Sequence, residues 1–168
     1  NFEQGYTPEF KGRDDFKGQI IHPQFWPEQL DYTGKRVVVI GSGATAVTLI
    51  PSMTDKAQHV VMLQRTPSYL MTVPQFNPVM RLIFKVMPKM TAYNISRRFM
   101  NFITQSLFKL SRKYPNLVRK LLLKAVKLQV GPDIDMKHFT PPYDPWDQRL
   151  CAAPGGDLFK AIRSGKAS

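Results

Sequence analysis

The sequence predicts an α/β fold with a parallel sheet, because three features follow one another closely. Residues 37–40 are consecutive β-branched apolar residues, the kind of run that a buried parallel strand needs. A glycine turn and an apolar helical pattern at 44–50 come next, and a second apolar run occupies 60–63. A strand, a helix and a strand within about thirty residues match the βαβ unit of a Rossmann-like nucleotide-binding domain.

Residues 1–34, which precede this unit, are predicted to form a loop or linker. Gly, Pro, Asp and aromatic residues alternate there without a helical or strand period. The βαβ unit is assigned to residues 35–73.

The turn between the first strand and the helix has a spacing typical of dinucleotide sites. Gly41, Gly43 and Ala46 occupy the positions of G-x-G-x-x-[GA]. The first glycine permits a tight turn, the second lets a pyrophosphate approach the backbone, and the small third residue lets the helix pack on the sheet. The N–H groups at the helix start favour an anion. The predicted cofactor-binding residues are therefore Gly41, Ser42, Gly43, Ala44, Thr45 and Ala46; the alternative is a purely structural glycine turn.

The end of the second strand indicates which dinucleotide would bind. NAD sites usually place an acidic residue there to accept from the ribose 2′-hydroxyl. Gln64 occupies that position, Arg65 follows it, and Asp55 falls in the helix-to-strand connection. A guanidinium binds a phosphate bidentately, so Gln64 and Arg65 are assigned to the site and NADPH is expected rather than NADH. In the alternative interpretation, Arg65 is a solvated surface residue.

Residues 74–130 are predicted to form a helical insertion. Asn77 resembles a helix N-cap that is followed by proline at the first helical position. Three helices are expected, from 78 to before Pro88, from about 91 to 112, and from about 115 to 129.

The charge of the chain is concentrated in this insertion. Residues 81–127 contain twelve Lys and Arg and no acidic residue, while the whole chain has 24 basic and 12 acidic residues. The formal net charge of +12 therefore belongs to one segment. The alternatives are a packed insertion with a solvated basic face, peripheral contact of 81–127 with a membrane surface, and nucleic-acid binding. Nucleic acid is not expected as a partner, because no known reading motif is present.

Residues 131–168 are expected to return to the nucleotide-binding domain. They contain an ordered loop at 144–150 and a short helix that Asp157 would cap. The single cysteine, Cys151, fits a reducing compartment, so a cytoplasmic location is expected. No metal site is predicted.

The linker contains a pattern that points to a known family. The run F-x-G-x-x-x-H-x-x-x-W-P at 16–27 is filled by Phe16, Gly18, His22, Trp26 and Pro27. It resembles the fingerprint of Baeyer–Villiger monooxygenases, which are FAD- and NADPH-dependent enzymes within the flavin-containing monooxygenase superfamily. The segments MLQRTPSY and DPWDQRLCAAPGGDLFKAIRSGKAS also resemble the ethionamide-activating type of bacterial monooxygenase.

This resemblance implies an internal fragment of a flavoprotein with two dinucleotide-binding domains. The fingerprint would connect the FAD and NADPH domains, and the FAD site would lie mostly outside this chain. A structural or hinge role is implied for His22, with acid–base catalysis or no special role as alternatives. Arg149 would be the catalytic residue that stabilises negative charge beside the flavin. Alternatively, Arg149 forms an ion pair within an ordered loop.

The implied reaction uses NADPH, FAD and O₂. One oxygen atom would be inserted into a ketone to give an ester or lactone, or transferred to a sulfide or thioamide. The alternatives are an N- or S-oxidising flavin-containing monooxygenase and a non-catalytic NADP-binding or membrane-surface module. Trp26 and Pro27 favour the Baeyer–Villiger branch. We expect no oxygenation by these 168 residues alone.

Overall fold

The computed structural model describes residues 8–74, 78–148 and 150–168. The chain divides into two compact units, Asn1–Tyr32 and Thr33–Ser168. In the described part of the first unit, turns surround a short 3₁₀ helix at Pro23–Phe25. The second unit contains the strands and the longer helices.

The predicted βαβ unit is confirmed. Strand β1 (Arg36–Ile40) leads through the glycine turn into helix α1 (Ala44–Met53), which is followed by strand β2 (His59–Leu63). β1 and β2 pair in parallel, with Val37 opposite Val60 and Val39 opposite Met62. Helix α1 forms because its buried residues recur at helical spacing on one face, namely Ala46, Val47, Ile50 and Met53.

Burial of β1 differs from the prediction. Val37 and Val39 are half-buried, whereas Val38 and Ile40 on the opposite face are exposed, Ile40 by 62%. Successive strand residues point to opposite faces, so one face of β1 is open in the described part of this unit. The apolar run predicted a strand covered on both faces.

A second parallel pair was not predicted. Strand β3 (Tyr69–Val73) pairs with strand β4 (Leu150–Pro154), placing Tyr69 beside Leu150 and Val73 beside Pro154. Alanine and proline are poor strand formers, so the β4 sequence gave little indication of this pairing. Strand β2 is bonded along its other edge as well, because Met62 N–H donates to the Ser168 carbonyl at 2.7 Å.

The basic insertion is helical, as predicted. Its helices are α2 (Pro78–Val86), α3 (Lys89–Lys113) and α4 (Pro115–Val130). Helix α3 begins two residues before its predicted start, and the predicted cap Asn77 lies outside the described residues. Helix α4 buries Val118, Val126 and Val130. In the described ranges, no helix combines the length and apolarity needed to cross a bilayer.

Helix α5 (Asp157–Arg163) contributes Leu158, Phe159 and Ile162 to the core. Its N-cap is Gly156, not Asp157 as predicted; Asp157 is the first helical residue and pairs with Lys160 at 2.9 Å. Gly156 has φ +69°, which glycine adopts at low cost. A Cβ atom there would lie 2.8 Å from Gln129 Oε1.

The glycine at the start of α5 generates the first prediction. We expect Gly156→Ala to lower the free energy of unfolding by about 2–3 kcal/mol, from left-handed strain plus overpacking. Gln129 cannot move freely, because Thr72 Oγ1 donates to its Oε1 at 2.6 Å. The control is Gly34→Ala, which has φ +67° but no atom within 4 Å of its Cβ position. It should cost about 1 kcal/mol of strain alone.

Denaturant unfolding of both variants measures the difference. Equal losses in the two variants would contradict the packing argument.

Candidate functional site

The glycine turn leaves the N-terminus of α1 open. Gly43 is the N-cap residue with φ −78° and ψ −178°, and no side chain caps the helix. The first bond in the helix joins Val47 N–H to the Gly43 carbonyl at 3.0 Å. The preceding amides at 44–46 therefore have no acceptor within the helix. A Cβ atom at Gly41 or Gly43 would meet no atom within 4 Å, so the space beside these amides can admit a phosphate.

Gly41 is the turn residue whose backbone requires glycine. Its φ is +132°, outside the regions that L side chains adopt readily. Gly41 N–H donates to the Leu63 carbonyl at 2.8 Å. This bond fixes the start of the turn at the carboxyl end of β2.

Ser42 ties the turn to neighbouring segments. Its Oγ donates to the Thr66 carbonyl and lies 3.3 Å from Ser68 Oγ. The buried Cys151 thiol lies 3.9 Å from the Ser42 carbonyl and can donate to it. The Ser42 hydroxyl is thus engaged within the protein, so its predicted contribution to a cofactor would come from the backbone.

The two residues predicted to sense the ribose follow β2. Arg65 is exposed, and Gln64 is half-buried. Gln64 Nε2 donates to the His138 carbonyl at 2.7 Å, across 74 residues of sequence. The Gln64 amide therefore fastens the 3₁₀ turn Met136–Phe139 to the end of β2.

A crevice joins these segments beneath the glycine turn. It is too narrow to admit a water molecule, so a nucleotide would lie over its rim and not inside it. The lining residues are Ser42, Val47, Met62, Gln64, Ser68, Leu70, His138 and Phe139. His138 was missed by the sequence analysis, because only the long-range pairing with Gln64 brings it here.

The loop that precedes Arg149 is anchored to α3. Arg112 donates to Asp147 Oδ1 at 2.6 Å, and the Trp146 ring meets Phe108 edge-on at 5.7 Å. This ion pair with Arg112 engages one carboxylate oxygen of Asp147, which precedes Arg149 by two residues. Arg149 lies outside the described residues, so its catalytic role stays a prediction.

Trp146 is conformationally unusual. It is the one residue other than glycine in the described ranges with a positive φ, at +72°. Its indole N–H is buried without a hydrogen-bond partner in the described structure. Positive φ and an unpaired buried donor both cost free energy, and such strain clusters at functional segments.

Two tyrosines hold the other end of this loop. Tyr69 donates its hydroxyl to the Tyr143 carbonyl at 2.7 Å, and Tyr143 donates to the Pro67 carbonyl at 3.2 Å. Burial raises the pKa of the Tyr69 phenol above its ordinary value, which keeps the hydroxyl protonated as a donor. The loop is therefore fixed to β3 as well as to α3.

The fingerprint residues lie in the first unit. The Phe16 ring covers Gly18, where a Cβ atom would fall 2.5 Å from the ring. His22 Nδ1 accepts from Gln24 N–H at 3.2 Å, so the neutral ring carries its proton on Nε2. Trp26 packs edge-on against Tyr32 at 6.3 Å.

Pro27 begins a turn in which its carbonyl accepts from Leu30 N–H. These contacts explain the local pattern, while the predicted hinge role is untested.

Known proteins resemble the whole chain. It is 55% identical to the probable FAD-binding monooxygenase AlmA of an Acinetobacter species, covering 100% of the chain and 34% of that protein. It is 53% identical to the FAD-containing monooxygenase EthA of Mycolicibacterium smegmatis, covering 99% of the chain and 34% of that protein. The chain thus spans about a third of the length of these relatives.

Solved structures show the same fold. The oxidized steroid monooxygenase bound to NADP superposes with a TM-score of 0.69 at 20% identity, over 98% of this chain and 38% of that one. A cyclohexanone-bound cyclohexanone monooxygenase gives 0.65 at 20% identity, over 97% of this chain and 39% of that one. The family model for flavin-binding monooxygenase-like proteins matches residues 5–127. With most of its length matched in this way, the chain belongs to the flavin-binding monooxygenase-like family.

Proposed function

We propose that the full-length protein containing this chain is an NADPH- and FAD-dependent monooxygenase, and that the chain supplies the NADPH site. The observation that carries the proposal is the open N-terminus of α1, where Gly41 and Gly43 leave room beside amides without helical acceptors. The names of relatives about 50% identical, which are FAD-binding or FAD-containing monooxygenases, support the flavin.

NADPH is proposed over NADH because of the residues that follow β2. Gln64 stands where a carboxylate would accept from a ribose hydroxyl, and its amide N–H is engaged with the His138 carbonyl. Arg65 is exposed and permanently charged, so it can bind a 2′-phosphate.

The proposed reaction gives each cofactor and residue one task. When bound, NADPH supplies two electrons, FAD activates O₂, one oxygen atom enters the substrate and the other leaves as water. The amides at 44–46 would hold the diphosphate, and Arg65 would select the phosphorylated ribose. Arg149 would stabilise negative charge that develops during oxygen transfer.

We propose ketones as the substrate class, with insertion of oxygen beside the carbonyl to give an ester or lactone. The fingerprint residues Trp26 and Pro27 support this branch. Sulfides and thioamides are the second class, supported by the resemblance of MLQRTPSY and DPWDQRLCAAPGGDLFKAIRSGKAS to the ethionamide-activating type of monooxygenase. Product analysis of the full-length protein with matched ketone and sulfide panels decides between them.

A second proposal concerns the basic insertion, which we propose contacts anionic lipid surfaces. On α2, Val79, Leu82 and Val86 share one face and are 53%, 62% and 73% exposed. Lys85 flanks this face, Arg81 lies further round the helix, and no acidic residue lies in 81–127. An apolar stripe beside cations suits the interface of an anionic bilayer. The cytoplasmic location stays a prediction.

The glycine turn provides a test that separates folding from binding. Gly43→Ala should leave the free energy of unfolding within about 0.5 kcal/mol, because Gly43 has a negative φ and its Cβ position is empty. The same methyl group should obstruct the diphosphate and weaken NADP⁺ binding by about tenfold or more. Calorimetric titration and thermal unfolding of the full-length protein measure both. Unchanged binding would exclude this turn as the site.

The proposed monooxygenase activity is tested by product formation. With Arg149→Ala, NADPH oxidation should continue while oxygenated product falls by about 10²-fold or more, because charge stabilisation is lost. Chromatography of the product and absorbance of NADPH give the ratio. Arg163→Ala, on α5, is the matched control and should keep its ratio. An unchanged product yield in Arg149→Ala would remove Arg149 from the mechanism.

Lipid contact is tested by sedimentation of the full-length protein with phosphatidylglycerol-containing vesicles. Arg81→Gln with Lys85→Gln should weaken binding roughly thirtyfold, since each cation near an anionic surface contributes about 1 kcal/mol. Lys11→Gln with Lys17→Gln removes the same charge from the first unit and should have little effect. Equal binding to purely phosphatidylcholine vesicles, or no loss in the α2 variant, would contradict the proposal.

A further inference from the structure

One side chain at the rim of the crevice beneath the glycine turn has no role in the NADPH site proposed above. His138 is exposed, belongs to the 3₁₀ turn Met136–Phe139 and lines the same crevice as Ser42 and Gln64. Its backbone carbonyl is bonded to the Gln64 amide at 2.7 Å, so residue 138 lies beside the end of β2. That end of the strand is where a βαβ dinucleotide site reads the adenosine ribose.

We propose that His138, together with Arg65, recognises the 2′-phosphate of NADPH. This inference rests on the proposed NADPH function and adds a specificity-determining residue to it. An imidazole N–H can donate to a phosphate oxygen, and a protonated imidazole adds charge to that bond.

The turn that presents His138 is held in place. Lys137 N–H donates to Asp135 Oδ1 at 2.9 Å, and Thr140 Oγ1 donates to the Met136 carbonyl at 2.7 Å. Phe139 is buried and its ring lies 6.2 Å from that of Phe159 on α5. With both ends fixed, the turn can hold a ligand-binding side chain at little cost in ordering.

The charges of the turn favour His138 over its neighbour as the phosphate contact. Lys137 Nζ is paired with Asp135 Oδ2 at 2.9 Å. Hydrogen bonds from the Lys137 backbone and side chain lower the pKa of Asp135, so this carboxylate stays ionised beside Lys137. His138 has its backbone carbonyl committed to Gln64 and its side chain exposed.

The backbone tether allows a clean experiment. The Gln64 side chain bonds the backbone carbonyl of residue 138. Substituting His138 therefore removes the imidazole but keeps this hydrogen bond. Calorimetry on the full-length protein would compare NADP⁺ with NAD⁺, which differ by the 2′-phosphate. We expect His138→Asn to weaken NADP⁺ binding about fivefold, the size of an exposed ionic contact, and to leave NAD⁺ binding unchanged.

Three further variants complete the design. His138→Lys places a side-chain N–H donor at the same position and should recover most of the NADP⁺ preference, which a structural role would not allow. Arg65→Gln should lower the same preference. His59→Asn, at the amino end of β2, is the matched control and should change neither affinity.

The possible results separate this inference from the proposed function. If the unaltered protein binds neither dinucleotide, the proposed function fails. If it prefers NADP⁺ and His138→Asn keeps that preference, or loses both affinities equally, the role of His138 fails alone. The role of His138 and Arg65 is also overturned if His138→Lys does not recover the preference for NADP⁺, or if Arg65→Gln leaves that preference unchanged.

Discussion

The geometry of the site depends on the absence of side chains at two backbone positions. Gly41 turns the chain at φ +132°, and Gly43 starts α1 without a covering Cβ atom or a capping side chain. The amides that follow are left without helical acceptors, and the helix dipole adds positive potential at the same place. An anion accepts hydrogen bonds from these amides and is attracted by the positive potential, which explains why a diphosphate suits this turn.

Hydrogen bonds between residues far apart in sequence fix the segments around the glycine turn. Gln64 bonds the turn at 136–139, and Arg112 bonds the loop that leads to Arg149. The basic insertion is therefore connected to the proposed active-site loop through α3. Phe108 on α3 packs against Trp146, whose backbone is strained, so α3 helps to position this loop.

Local sequence patterns predicted much of the fold. The βαβ unit and the three helices of 74–130 have strong periodicity and clear proline or glycine boundaries, so short-range physics was sufficient. Other features depend on contacts between residues far apart in sequence. These are the pairing of β3 with β4, the position of His138 beside Gln64, and the ion pair of Asp147 with Arg112. A segment without a periodic pattern, such as LCAAP in β4, does not indicate which distant strand it pairs with.

Hydrogen–deuterium exchange of the full-length protein tests the central claim most directly. Bound NADP⁺ should slow exchange of the amides at 44–46, since each would gain an acceptor, and leave the first-turn amides of α3 unchanged. Saturation with NADP⁺ without any protection at 44–46 would contradict the account, because the diphosphate would then be held elsewhere.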